Sequence, residues 1–217
     1  MSMRLYNFFR NSAGYRVRAV LNLKGIPYEH VSIDIRPPVE AQFSEEFRKV
    51  NPLSLIPALE HDGKIITQSS AIIEYLEELF PTPSVFPKDA VLRAQSRAFA
   101  ASVAAETHAL LNMRVMKFLD KELALPQADR DKWYAQWAHK GFTALEAMLK
   151  YGPDTQFAYA DYPTVADIFL VPQYYNLRRI KMDLSAYPRL GEIVARCEAL
   201  PAFQKAAPEA QPDYDDR

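Results

Sequence analysis

The stretch Asn51-Pro52-Leu53-Ser54-Leu55-Ile56-Pro57-Ala58-Leu59, followed a few residues on by Gln68-Ser69-Ser70-Ala71-Ile72-Ile73-Glu74-Tyr75-Leu76, decides the reading of this chain. It predicts a loop, a rigid turn at Pro57, a short strand, a hairpin at Asp62-Gly63, a second short strand and a helix. The helix opens on the polar residues Gln68, Ser69 and Ser70. The first N–H groups of a helix have no partner within it. They attract a carboxylate, and nearby hydroxyl and amide groups add hydrogen bonds. A proline just before an edge strand leaves its neighbour's backbone able to pair with an extended peptide. Together the pieces outline a site for a small anionic peptide. Each is common alone, and a plain turn before a capped helix has the same local pattern.

Upstream, Arg4 to Phe8 reads as a strand and Tyr15 to Lys24 as a helix with Val17, Val20 and Leu21 on one face. Gly25 takes the place of a helix-ending glycine. A second strand is expected over Tyr28 to Ile33, a loop at Arg36-Pro37-Pro38 and a short helix from Ala41 to Val50. The order β-α-β-α-β-β-α is a thioredoxin-like arrangement. Residues 1–80 therefore form an α+β domain, and the prolines of 81–87 read as a linker. Strand signals then vanish, and 88–217 reads as an all-α domain. Helices are expected over Leu92–Leu119, Ala128–Lys150, Thr164–Arg179 and Leu190–Leu200. The stretch from Pro208 to Arg217, with its Pro and Asp residues, is expected to be loosely ordered.

Thr164-Val165-Ala166-Asp167 has the form of a capping box, with Asp in place of the commoner Glu or Gln. The nearly all-apolar run Ile168-Phe169-Leu170-Val171 after it belongs at the centre of its domain.

Lys and Arg total 26 against 27 Asp and Glu, so there is no overall pull toward nucleic acid or an acidic membrane. No apolar run reaches the roughly 18 residues of a membrane span, and the first residues lack the apolar stretch of a signal peptide. The single cysteine, Cys197, excludes an internal disulfide and a Cys-x-x-Cys redox pair. A cytoplasmic, reducing setting fits. Cys197 lies in a helical pattern and reads as a buried structural thiol. The four histidines, His30, His61, His108 and His139, lack metal-ligand spacing, so no metal is expected.

Taken in order, several motifs resemble the glutathione transferase family, along essentially the whole chain. They are Leu5-Tyr6-Asn7-Phe8-Phe9-Arg10, Arg16-Val17-Arg18, Leu23-Lys24-Gly25-Ile26-Pro27-Tyr28-Glu29, the two opening segments, the capping box, Leu170-Val171-Pro172-Gln173 and the Ala206–Asp213 stretch. The likeness is strongest to the zeta-like branch, which includes maleylacetoacetate and maleylpyruvate isomerases. The resemblance implies a thioredoxin-like domain that binds glutathione, a helical domain that completes the substrate site, and a homodimer. By position, Gln68 and Ser69 would hold the γ-glutamyl end and the Ile56 backbone the cysteinyl part, with Pro57 as a cis-proline. Gln42 would lie near the glycyl end, and His108 and Asn112 would line the mouth of the site. For His108 a hydrogen-bonded place in a helix seam is an equal reading.

The family's catalytic loop is usually Ser-Ser-Cys or a similar polar run. Here it is Asn11-Ser12-Ala13-Gly14-Tyr15. A helix N-terminus and one hydrogen-bond donor can lower a thiol's pKa from about 8.5. Either Ser12 or Asn11 can be that donor, and neither is a strong base. The implied reaction is addition of the thiolate to a cis double bond conjugated to a carbonyl, rotation, and elimination. Such substrates are small dicarboxylates, which call for fixed cations. Arg10 follows the first strand, Arg114 lies on the first long helix, and Arg178 and Arg179 end the capped helix. Arginines at a helix C-terminus also favour its dipole without any ligand. The competing readings are a general transferase that conjugates electrophiles or dehalogenates halo-acids, and a non-enzymatic binding module that kept the fold.

Overall fold

The computed structural model describes residues 2–215. Two compact units emerge. The chain up to Val85 is joined by the segment from Glu198 onward, and Phe86–Cys197 forms the second unit.

The first unit contains β1 (Met3–Asn7), α1 (Ser12–Leu23), β2 (Glu29–Ser32), a 3-10 turn (Ala41–Phe43), α2 (Glu45–Val50), β3 (Ala58–His61), β4 (Lys64–Thr67) and α3 (Ser69–Leu79). The sheet runs β2-β1-β3-β4. β1 pairs parallel with β2 and antiparallel with β3, so Leu5 sits opposite both His30 and Leu59. β1 buries Met3, Leu5 and Asn7 and leaves Arg4 and Tyr6 partly exposed, the period of two that fixes its register. α1 ends as its sequence predicts. Gly25 adopts φ +64°, and the Ile26 N–H reaches the Leu21 carbonyl at 2.8 Å. The expected helix Ala41–Val50 is instead two pieces. Ser44 leaves the helical conformation and caps α2, its hydroxyl accepting from the Phe47 N–H at 3.1 Å.

The helical domain read from sequence as 88–217 divides differently by contact. α10 (Pro201–Ala206) packs against α1 within the first unit. The Arg18 Nε donates to the Ala206 carbonyl at 2.9 Å, and the Asn22 amide to that of Ala202 at 3.1 Å. The stretch after Pro208 is also ordered, contrary to expectation, through residue 215; the last two residues of that expectation, Asp216 and Arg217, lie outside the described residues. Gln211 is buried and donates to the Lys205 and Ala207 carbonyls, and Asp213 bonds back to the start of the chain. Proline and aspartate suggest disorder only where no partner is in reach, and here partners are.

The second unit contains α4 (Ala90–Ala101), a π-helical turn (Ser102–His108), α5 (Ala109–Leu111), α6 (Met113–Lys121), α7 (Gln127–Met148), α8 (Val165–Arg179) and α9 (Pro188–Glu198), which ends at the unit boundary. The long helix expected over 92–119 breaks at Asn112, whose ψ of 144° is extended. Asn112 is the N-cap of α6, its side chain accepting from the Arg114 N–H. In the widened turn before it, Thr107 packs so closely on Gly141 of α7 that a Cβ there would lie 2.2 Å from the Thr107 hydroxyl. α8 begins with the expected capping box. The Thr164 N–H donates to Asp167 Oδ2 at 2.6 Å, and the Ala158 N–H to Oδ1 at 2.8 Å. Residues Val165 to Gln173 are all buried, so α8 is the centre of its unit.

Candidate functional site

At the end of β1 the chain turns and starts α1. Asn11 is the N-cap, its side-chain oxygen accepting from the Gly14 N–H at 2.6 Å. Asn11 is among the best capping residues, which explains why the helix starts there. Ser12 is the first helical residue and is buried. The two candidates thus do different work. The oxygen of Asn11 is committed to building the helix end, while Ser12 sits inside the turn where N–H groups lack helical partners and the dipole is positive. Arg10, just before, lies over the Phe9 ring at 5.7 Å.

Two buried arginines, both missed by the sequence reading as site residues, tie this region together. Burial lowers Arg16 to about 9, and its Nη1 donates to Ser69 Oγ at 3.4 Å. Arg18, lowered to about 10 by burial, donates to the Phe8 and Phe9 carbonyls. The Arg-Val-Arg run on an apolar helix face was the available signal, but nothing in it distinguishes buried guanidinium groups from exposed ones.

The opening segment forms a shaped loop. The Asn51 side chain donates to the Leu55 carbonyl at 2.6 Å and accepts from the Leu53 N–H at 3.1 Å. The Ile56–Pro57 peptide is cis and leads directly into β3. The Ile56 side chain packs with Phe8, Phe9 and Phe47, which joins this loop to the turn after β1. The Ile56 backbone makes no hydrogen bond among the described residues. Gln42 is buried in the 3-10 turn, and its Oε1 has no partner among the described residues.

The start of α3 is unlike that of α1, α2, α4, α6 or α8, each of which is capped by a side chain. Gln68 occupies the cap position, makes no such bond, is exposed, and holds φ +68°. A left-handed glutamine costs about 1–3 kcal/mol, strain that surrounding structure must maintain. Ser69, the first helical residue, is buried. The open N–H groups, an exposed amide and a hydroxyl together suit a carboxylate.

In the second unit, His108 and Asn112 are brought together. With its proton on Nδ1, His108 donates to Gln173 Oε1 at 3.2 Å, and its Nε2 accepts from the Asn112 amide at 3.4 Å. The Asn112 oxygen caps α6 through the Arg114 N–H at 3.0 Å. His108 therefore has the helix-seam bonding that the sequence allowed. Gln173, a fully buried amide in an apolar helix, was the missed partner. Arg114 is exposed in the first turn of α6. Arg178 and Arg179 are the exposed last residues of α8, and Arg178 lies over the Tyr175 ring at 6.0 Å. Arg179 acts on Tyr134, whose phenol is pushed up by burial and partly restored by that positive charge. A cavity of about 230 Å³ elsewhere in this unit is lined by Glu146, Lys150, Tyr159 and Arg189, and includes none of the candidate residues. Its Arg189 is already paired with Asp154 and Glu192.

Residues 7–84 match the glutathione S-transferase N-terminal domain. A maleylpyruvate isomerase from Ralstonia sp is 41% identical over 97% of this chain and 99% of its own length. The holo structure of a maleylpyruvate isomerase, described as a bacterial zeta-class glutathione S-transferase, superposes with a TM-score of 0.93 at 40% identity, covering 98% of this chain and 100% of the other. A maleylacetoacetate isomerase from Methylobacterium extorquens AM1, with malonate and glutathione bound, gives a TM-score of 0.92 at 34% identity, covering 98% of this chain and 99% of the other.

Proposed function

This chain belongs to the glutathione S-transferase family, in its zeta class, and on that premise we propose that it is a glutathione-dependent isomerase of maleyl keto acids. The substrate is maleylpyruvate or maleylacetoacetate and the product its fumaryl isomer. The observation that carries this reading is the end-to-end likeness to a maleylpyruvate isomerase, at 41% identity over 97% of the chain.

The chain's own residues fit glutathione. The open start of α3, with Gln68 and Ser69, suits the γ-glutamyl carboxylate. The unbonded Ile56 backbone beside cis-Pro57 suits the cysteinyl unit, and the buried Gln42 Oε1 offers an acceptor for a glycyl N–H. His108 and Asn112 are assigned to the mouth of the site. Glutathione, when bound, supplies the thiolate that adds reversibly to the double bond. The first turn of α1 and the Ser12 hydroxyl favour that thiolate electrostatically, without removing the proton themselves. Asn11 sets the start of the helix. Arg10, Arg114, Arg178 and Arg179 are assigned to the substrate carboxylates and to the negative charge that develops beside the carbonyl. A homodimer in the cytosol follows from the family and belongs to the same proposal.

A second reading, conjugation of electrophiles or halo-acid dehalogenation, calls for an apolar, weakly cationic pocket, and the Asn11 and Ala13 departures from the branch's usual loop support a non-enzymatic binding module. Incubation with glutathione and each maleyl keto acid separates isomerase from transferase. We expect isomerisation at sub-stoichiometric glutathione that falls by about 100-fold in Arg179→Ala. Glutathione binding with no isomerisation of either substrate would overturn the proposal in favour of conjugation.

A further inference from the structure

The turn that carries Arg10, Asn11 and Ser12 is held from behind by the last described residues of the chain. Asp213 Oδ2 accepts from the Phe9 N–H at 3.2 Å and from the Ser32 hydroxyl at 2.6 Å. Its Oδ1 lies 3.2 Å from His30 Nε2, an ion-pair distance, with both side chains largely buried. Burial pushes this carboxyl up, yet the nearby His30 ring and the bond from Ser32 hold it below its ordinary value. The neighbours add grip. Tyr214 meets the Phe9 ring edge-on at 5.5 Å, and Asp215 reaches Arg36 at 3.4 Å. Arg36 in turn lies over the Phe8 and Phe9 rings. With Arg18 on both carbonyls, Phe9 is held at N–H, C=O and side chain, and Phe8 at C=O and side chain.

A general anchor for a chain terminus would bond to any nearby surface. This one converges on the backbone N–H of Phe9, three residues before Ser12. The Asn11 N–H closes the turn onto the Phe8 carbonyl at 2.9 Å. Displacing Phe9 therefore displaces the start of α1. We propose that Asp213 is a positioning residue: from the C-terminal segment it sets the Phe8–Ser12 turn, and through it the place of the Ser12 hydroxyl against the glutathione thiol. This rests on the reading of Ser12 given above. A misplacement of about 1 Å is enough to cost about 100-fold in rate.

Thiol ionisation, followed by ultraviolet absorbance against pH in full-length protein loaded with glutathione and no second substrate, tests this directly. In Asp213→Ala the midpoint should rise by about one pH unit toward that of free glutathione. The dissociation constant for glutathione should change by less than about threefold, since its carboxylate contacts lie elsewhere. Asp213→Asn should recover more than half of the shift, because its amide oxygen, turned to the place of Oδ2, accepts from the Phe9 N–H. A midpoint unchanged in Asp213→Ala, with wild type lowered, overturns the proposal alone. A wild-type midpoint equal to that of free glutathione sinks the Ser12 reading, and this proposal with it. Should Asp213→Ala not fold, Asp213→Ser decides, since its shorter side chain does not reach the Phe9 N–H. An upward midpoint there supports the proposal, and a wild-type midpoint overturns it.

Discussion

Two helix starts in this chain receive opposite treatment. At α8 the helix start is closed by its own side chains. Asp167 takes the N–H groups of Thr164 and Ala158, the Thr164 hydroxyl accepts from Ala166, and the whole assembly is buried. At α3 the cap residue Gln68 is exposed, makes no capping bond and is held at φ +68°. The first end is closed and serves folding. The second is left open at a cost in strain, and the proposed function gives it to the glutathione carboxylate.

The comparison breaks most visibly at Asp167. Asp167→Ala orphans two buried N–H groups and should cost about 4 kcal/mol, read as a lowered denaturant midpoint, with unchanged turnover per folded molecule. Lost turnover at full folding would contradict the division of labour. The closed end should also show a pH signature. Burial raises Asp167 to about 7 from 3.8. The folded state then holds the extra proton between those values, so this residue's contribution to stability falls as pH rises from about 4 to about 7, and is level above. Unfolding curves for Asp167→Asn across that range should lose the slope.

The open end predicts smaller effects on binding. Ser69→Ala should raise the glutathione KM about tenfold while saturated kcat stays within about twofold, the pattern of lost uniform binding. Gln68→Gly sharpens the contrast further. Glycine relieves the left-handed backbone and should stabilise the fold by about 1 kcal/mol, yet glutathione titration should show weaker binding. Stabilisation with unchanged binding would mean that the strain at Gln68 serves no ligand.

The parts of the fold legible in sequence are those decided locally. Gly25 needed only its own φ, and Thr164-Val165-Ala166-Asp167 carried its whole bonding pattern within four residues. What escaped was decided across distance. The Ala-rich run 92–119 supports a helix, and the run alone shows neither Thr107 meeting Gly141 nor His108 meeting Gln173. The tail looked loose because its partners, Phe9, Ser32 and Arg36, lie at the other end of the sequence. In the candidate site, the Gln68-Ser69 helix start was legible from its polar opening. The buried Arg16 behind Ser69 was not, since only packing distinguishes it from a surface arginine.

The central claim is that glutathione returns unchanged from each cycle. The measurement that tests it most directly is the stoichiometry of turnover, with maleylpyruvate in large excess over glutathione. The account predicts many fumaryl products per glutathione and full recovery of free thiol. Loss of thiol in proportion to product, with a glutathione adduct accumulating, would contradict it and identify the chain as a conjugating transferase.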